Sequence, residues 1–242
     1  MVQATAGAHN RPPKIKMVLE ILKVERENTM GQYTNKGLYN AYKKNNKERE
    51  ANDYYATPTA EVENILYELG YNFSGASILE PCVGGGHMAE GIIAYLDATG
   101  SNHNKLFATD IKERGYSTDR WHCQYDLDFL ADDYPIDSAD VIIMNPPYSI
   151  LEPFLIRALE IAKDKLIVLC RMQVLEGESR YEKIFIDNPP TDIYQYVDRI
   201  QCWKNGEEPE GSSAQGYCWV VWDKNIKVDY PRLHWIRRAD KK

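Results

Sequence analysis

The sequence predicts an α/β fold: a doubly wound, mostly parallel sheet, with an antiparallel hairpin at its C-terminal edge and a helical extension at its N-terminus. Three observations predict it. Short apolar runs alternate with amphipathic stretches from residue 77 to residue 171, the pattern of strands joined by crossover helices. A glycine turn, Glu80-Pro81-Cys82-Val83-Gly84-Gly85-Gly86-His87, links one such strand to one such helix. The last third is rich in β-forming residues.

The chain has 242 residues, 43% of them hydrophobic, enough for one sizeable domain with an appendage. We expect a basic N-terminal extension over 1–50, a principal domain over 51–225 and a basic tail over 226–242. The net charge of −7 is unevenly spread: residues 1–50 hold ten Lys/Arg against five Glu, the rest nineteen against thirty-one acidic residues. Attraction to phosphate would therefore come from local patches. The five cysteines, Cys82, Cys123, Cys170, Cys202 and Cys218, are scattered, with no Cys-x-x-Cys pair, which predicts reduced thiols and no metal. With no apolar run of eighteen residues and no signal segment, no membrane association and a cytoplasmic location are expected.

Residues 1–13 read as disordered, and 14–28 as a helix with Ile15, Val18, Leu19 and Leu22 on one face. Residues 33–50 interleave tyrosines with lysines, as a nucleic-acid contact or a solvated face would. Tyr55 lies in Asp53-Tyr54-Tyr55-Ala56-Thr57-Pro58, which precedes a helix carrying Val62, Ile65, Leu66 and Leu69; Thr57 is expected as its N-cap and Pro58 as its first residue. Ser77 to Leu79 is a strand whose end delivers Glu80 to the crevice, and Met88 to Leu96 is the helix after the turn. Lys105 to Thr109 is the next strand, ending at Asp110, where an acid in such folds binds ribose hydroxyls. Asp126, followed by Leu127, stands where a third strand would deliver a carboxylate, with Asp128 competing and a simple turn cap open to either. Val141 to Met144 reads as a buried strand, Leu151 to Ala162 as a helix and Leu166 to Cys170 as another strand. Ile193 to Val197 and Tyr217 to Trp222 form the expected hairpin, with the loop Asn205 to Gln215 projecting towards the substrate.

Between the fourth strand and its helix lies Asn145-Pro146-Pro147-Tyr148. The prolines fix φ and hold the chain extended, so carbonyl oxygens face outward without a ladder partner. An Asn side-chain oxygen beside a rigid Pro146 carbonyl makes a pair of acceptors for the two hydrogens of a planar amine. Accepting both pushes that nitrogen towards a pyramidal, nucleophilic geometry. Tyr148 offers an aromatic face to the same planar group, and Trp203 is a second candidate from the opposite side. From these residues alone, adenine's exocyclic amine and a glutamine amide fit equally well.

Taken in order, these motifs resemble the class I S-adenosylmethionine-dependent amino-methyltransferases, and among them the small phage and prophage adenine-N6 DNA enzymes. The resemblance implies a Rossmann-like fold and S-adenosylmethionine as cofactor. It implies cofactor contacts from Tyr55, Thr57 and Pro58, from Glu80, Pro81, Cys82, Gly84 and Gly86, from Asp110 at the ribose, from Asp126 and Leu127 at the adenine, and from Asn145. Catalysis falls to Asn145, Pro146, Pro147 and Tyr148, and the flipped target base lies against Tyr148 and Trp203. DNA is the implied partner, with a dimer or a partner subunit compatible with it. RNA adenine, a protein glutamine and a non-catalytic nucleic-acid scaffold are the alternatives, in that order.

Overall fold

The computed structural model describes residues 54–134, 138–208, 210 and 215–241. The expectations for residues 1–50 lie outside them. An eight-stranded sheet forms the centre: β2 (Ser77–Glu80), β3 (Lys105–Thr109), β4 (His122–Gln124), β5 (Ala139–Met144), β6 (Ala162–Arg171), β7 (Asp192–Tyr196), β9 (Tyr217–Asp223) and β10 (Arg232–Ile236). Its spatial order is β10-β7-β9-β6-β5-β2-β3-β4. A separate two-stranded ribbon pairs β1 (Tyr55–Ala56) antiparallel with β8 (Trp203–Lys204).

The chain runs outward from β2 through β3 to β4, then returns to β5 on the other side of β2. The sheet's winding therefore reverses between β2 and β5, and a crevice opens outside their carboxyl ends. That is where Glu80 and Asn145 stand.

Strand residues alternate between two buried faces. Ile78, Val141, Ile143, Ile167 and Leu169 join one core cluster with Val62, Ile65 and Leu66 of α1 (Thr59–Leu69) and Met88, Ile92 and Leu96 of α2 (His87–Ala98). Ile142, Met144, Leu166 and Val168 are buried too but fall outside that cluster. Phe154 and Leu155 of α3 (Leu151–Ile161) are buried on this second side, Phe154 with its ring centroid 5.0 Å from that of Phe129. α1 and α2 approach closely at Gly91, where an added Cβ would lie 2.6 Å from Val62 Cβ and 2.7 Å from the Thr59 carbonyl.

The antiparallel pair expected at the C-terminal end is present, with β7 against β9 from Asp192↔Val221 to Gln195↔Cys218. It is not the outermost feature. β9 also pairs antiparallel with β6, and β10, expected within a basic tail, adds the edge strand parallel to β7. Burial explains the order: all seven residues of β9 are buried, which suits a central strand, whereas Leu233 and Trp235 of β10 are exposed. Arg232 anchors that edge through a two-point bond to the buried Asp192, at 2.8 Å for each contact. Among the described residues no helix is long and apolar enough to cross a membrane.

Candidate active site

Asn145 directly follows β5 at the switch point, and its amide has one orientation. Nδ2 donates to the Tyr55 carbonyl at 2.8 Å and to Thr57 Oγ1 at 3.1 Å. A backbone carbonyl only accepts, so the nitrogen must face the β1 segment and Oδ1 must face away. Oδ1 in turn accepts the Tyr148 hydroxyl at 3.0 Å. Burial pushes the Tyr148 phenol well above its ordinary range, with Cys202 and Tyr217 adding to the shift, so it stays a neutral donor.

These contacts relocate Thr57. The helix begins one residue later than expected, with Pro58 as the N-cap, Thr59 as the first helical residue and no side-chain capping bond. Thr57 is buried and turned to Asn145, because the amide takes the hydroxyl lone pair that a cap would have used.

The turn after β2 forms the other wall of the crevice. Gly84 and Gly86 have φ of 56° and 85°, the left-handed region that glycine enters at little cost. What comes close to them is tyrosine: an added Cβ would lie 2.2 Å from the Tyr54 ring at Gly84 and 2.0 Å from the Tyr116 ring at Gly86. Tyr54 also accepts the Gly85 N–H at 2.8 Å, and the β1–β8 ribbon holds it in place through Asn205 N–H to the Tyr54 carbonyl at 3.0 Å. Pro81 is buried, and Cys82 Sγ lies 3.5 Å from the Asn145 carbonyl, joining the turn to the tetrapeptide. Burial holds that thiol protonated, reinforced by Glu80 and Asp110.

Glu80 and Asp110 face this turn as a buried acidic pair. Asp110 Oδ2 accepts the Gly84 N–H at 2.8 Å and Oδ1 that of Lys112 at 2.9 Å. Burial raises its pKa above the ordinary carboxylate range despite those bonds. Glu80 is pushed further, first by burial and then by Asp110, and its Oε2 is buried with no hydrogen-bond partner. An orphaned carboxylate oxygen beside a second acid calls for a cationic or hydrogen-donating ligand. The residues therefore fit S-adenosylmethionine, which carries a sulfonium, an ammonium and ribose hydroxyls.

The other expected residues divide. Asp126 is exposed, with φ of 57°, two residues beyond the end of β4, while Leu127 donates its N–H to the Asp110 carbonyl at 3.1 Å. Asp128 caps its own turn through the Leu130 N–H at 3.1 Å. The rings bordering Tyr148 are Tyr55 at 5.8 Å and Tyr217 at 6.4 Å, whereas Trp203 stands edge-on to His87 at 5.4 Å, on the glycine-turn side. Tyr54, Tyr116, Tyr217 and Arg171 escaped the sequence reading. Tyr54 carried a usable signal, adjacency to the Thr57-Pro58 motif; the others meet the site only through folding. Among the described residues no group of three or more side chains could hold a metal.

The fold and this crevice define a Rossmann-like α/β protein. Solved structures share it. The methyltransferase subunit of a type I restriction-modification system from Streptococcus thermophilus superposes with a TM-score of 0.55 at 14% identity, over 79% of this chain and 48% of that one. A protein described as a class I S-adenosylmethionine-dependent methyltransferase from Listeria monocytogenes gives 0.57 at 16%, over 85% and 72%. One described as an RNA methyltransferase from Pyrococcus horikoshii gives 0.50 at 16%, over 70% and 85%. The chain thus spans about half the length of the restriction-modification subunit. No protein-family model matches it, and no curated protein matches it in sequence.

Proposed function

We propose that this chain is an S-adenosylmethionine-dependent methyltransferase acting on the exocyclic N6 amine of adenine in DNA. The observation that carries the reading is the fixed amide of Asn145, whose oxygen is held outward at the crevice by two acceptors behind its nitrogen. Glu80, Asp110, the Gly84–Gly86 turn, Thr57-Pro58, Asp126 and Leu127 would hold the cofactor. S-adenosylmethionine supplies there an electrophilic methyl group on a positively charged sulfur.

Asn145 Oδ1 and the Pro146 carbonyl accept the two hydrogens of the target amine, drawing its lone pair out of the ring. The second lone pair of Oδ1 remains available beside the bond from Tyr148. Tyr148 provides the ring against which the flipped base rests, and flipping costs a few kcal/mol that these contacts must offset. The nitrogen becomes acidic only after gaining the methyl and then loses its proton to water. No histidine is needed, and burial keeps His87 below its ordinary range.

The fold shared with a structure described as an RNA methyltransferase supports RNA as the second reading. The test is transfer of labelled methyl from S-adenosylmethionine to unmethylated duplex DNA, total RNA and a glutamine-bearing release factor, followed by nucleoside mass spectrometry. N6-methyladenine in DNA is expected. Label only in RNA or protein replaces the substrate, and label in none overturns the proposal.

A further inference from the structure

We infer that Arg171 is a phosphate anchor for the nucleotide that carries the target amine, which makes the substrate a nucleic acid and not a protein glutamine. The inference rests on the methyltransferase reading for the reaction, though its own observations are separate.

Arg171 ends β6 at the edge where the crevice opens. Its guanidinium carbon lies 4.4 Å over the Tyr148 ring centroid and 5.8 Å from that of Tyr55, placing a cation directly against the tetrapeptide. Its Nε is buried without a hydrogen-bond partner, and among the described residues no carboxylate pairs with it. Arg114 and Arg157 also have a buried, unbonded Nε. Those two have acids nearby: Arg157 pairs with Glu160 at 3.5 Å, and Arg114 acts electrostatically on Asp110. Arg171 has the Tyr148 and Tyr55 rings, with the Cys202 thiol and the Tyr217 hydroxyl nearby, and no acid among these neighbours.

Arg171 is half-buried, and its aromatic contacts neutralise none of its charge, so an anion can still pair with it there. A planar guanidinium matches the oxygens of a phosphodiester, and a nucleic acid carries one at a fixed reach from every base. A glutamine side chain carries none. A second guanidinium stands close: Arg199 Nη1 would lie 3.1 Å from a Cβ on Gly216, whose carbonyl accepts the N–H of Met172, the residue after Arg171. Arg171 also covers a face of Tyr148 that a base would use, so an incoming phosphate gives the guanidinium a place to move as the base takes the ring.

The experiment measures binding of a short, fluorescently labelled single-stranded oligonucleotide with one adenine, across a salt series, with S-adenosylhomocysteine present. It compares wild type, Arg171→Met and Arg171→Lys, and a second oligonucleotide with neutral methylphosphonates flanking the adenine. Arg171→Met should bind about tenfold more weakly, with the slope of log Kd against log salt lowered by about one. The methylphosphonate probe should weaken wild type similarly and leave Arg171→Met nearly unchanged. Arg171→Lys should keep the slope, and cofactor affinity and melting temperature should hold in both variants, which separates charge from folding. Equal affinity and slope in wild type and Arg171→Met, or no binding of either probe by wild type, overturns the anchor. Charge-dependent binding without methyl transfer to any acceptor would keep the anchor and overturn the reaction.

Discussion

Asn145 sits among acceptors and donors that leave its amide a single orientation, and a consequence can be read from each partner. Removing the side chain in Asn145→Ala deletes one of two acceptors for the target amine. A loss of about 10²–10³ in kcat is expected, the scale of one lost transition-state acceptor, with cofactor affinity retained; single-turnover methyl transfer beside equilibrium titration checks both. Thr57→Val acts indirectly, because Nδ2 keeps the Tyr55 carbonyl but loses its second acceptor. About a tenfold fall in kcat, with KM for DNA little changed, is the outcome expected of a positioning residue. The tetrapeptide was legible in the sequence because its chemistry is contiguous: two prolines, an amide and a ring in four residues. Thr57 was misplaced as a cap because its partner lies 88 residues away, a pairing that local capping rules do not see.

At the scale of elements, the glycine turn and the β1–β8 ribbon are fitted to each other through Tyr54. Gly84 occupies a left-handed conformation, and a Cβ there would meet the Tyr54 ring at 2.2 Å. Gly84→Ala should therefore lower the melting temperature, through about 1–2 kcal/mol of backbone strain plus the steric clash. Adding Tyr54→Ala relieves the clash and leaves the strain, so the double variant should be less destabilised than the sum of the two single ones. Additive melting shifts would show that ring and glycine are uncoupled. The strand-helix alternation was readable because buried strands and amphipathic helices differ in period. The order at the C-terminal edge was not. Local pattern shows that β9 is apolar, but only the closed sheet shows it lying between β6 and β7, with β10 completing the edge. Trp203 was likewise legible as an aromatic near the site, not as a neighbour of His87, because the two-residue ribbon that carries it has no periodic signature.

For the whole molecule, the buried Glu80 links stability, pH and cofactor. Its folded-state pKa is raised, so between its ordinary value of 4.5 and the raised value the folded chain binds more protons than the unfolded one. Stability from this group therefore falls as pH rises through that window. Glu80→Gln removes the titration, and comparing it with wild type cancels the contribution of every group not coupled to Glu80, as Asp110 and Cys82 are. Below about pH 4.5 the two proteins should melt alike. Above it the variant should gain, by about 1–3 kcal/mol once the window is passed, roughly the cost of an unsatisfied buried polar group. For a chain of this size that amounts to about 2–4 °C per kcal/mol. Saturating S-adenosylmethionine should reverse the order, since a cationic ligand satisfies the carboxylate of wild type and gains nothing from the amide. Calorimetric melting of both proteins at acid and neutral pH, with and without cofactor, gives all four values. A pH-independent difference would show that Glu80 is ionised normally, and a cofactor shift equal in both proteins would remove Glu80 from the binding site.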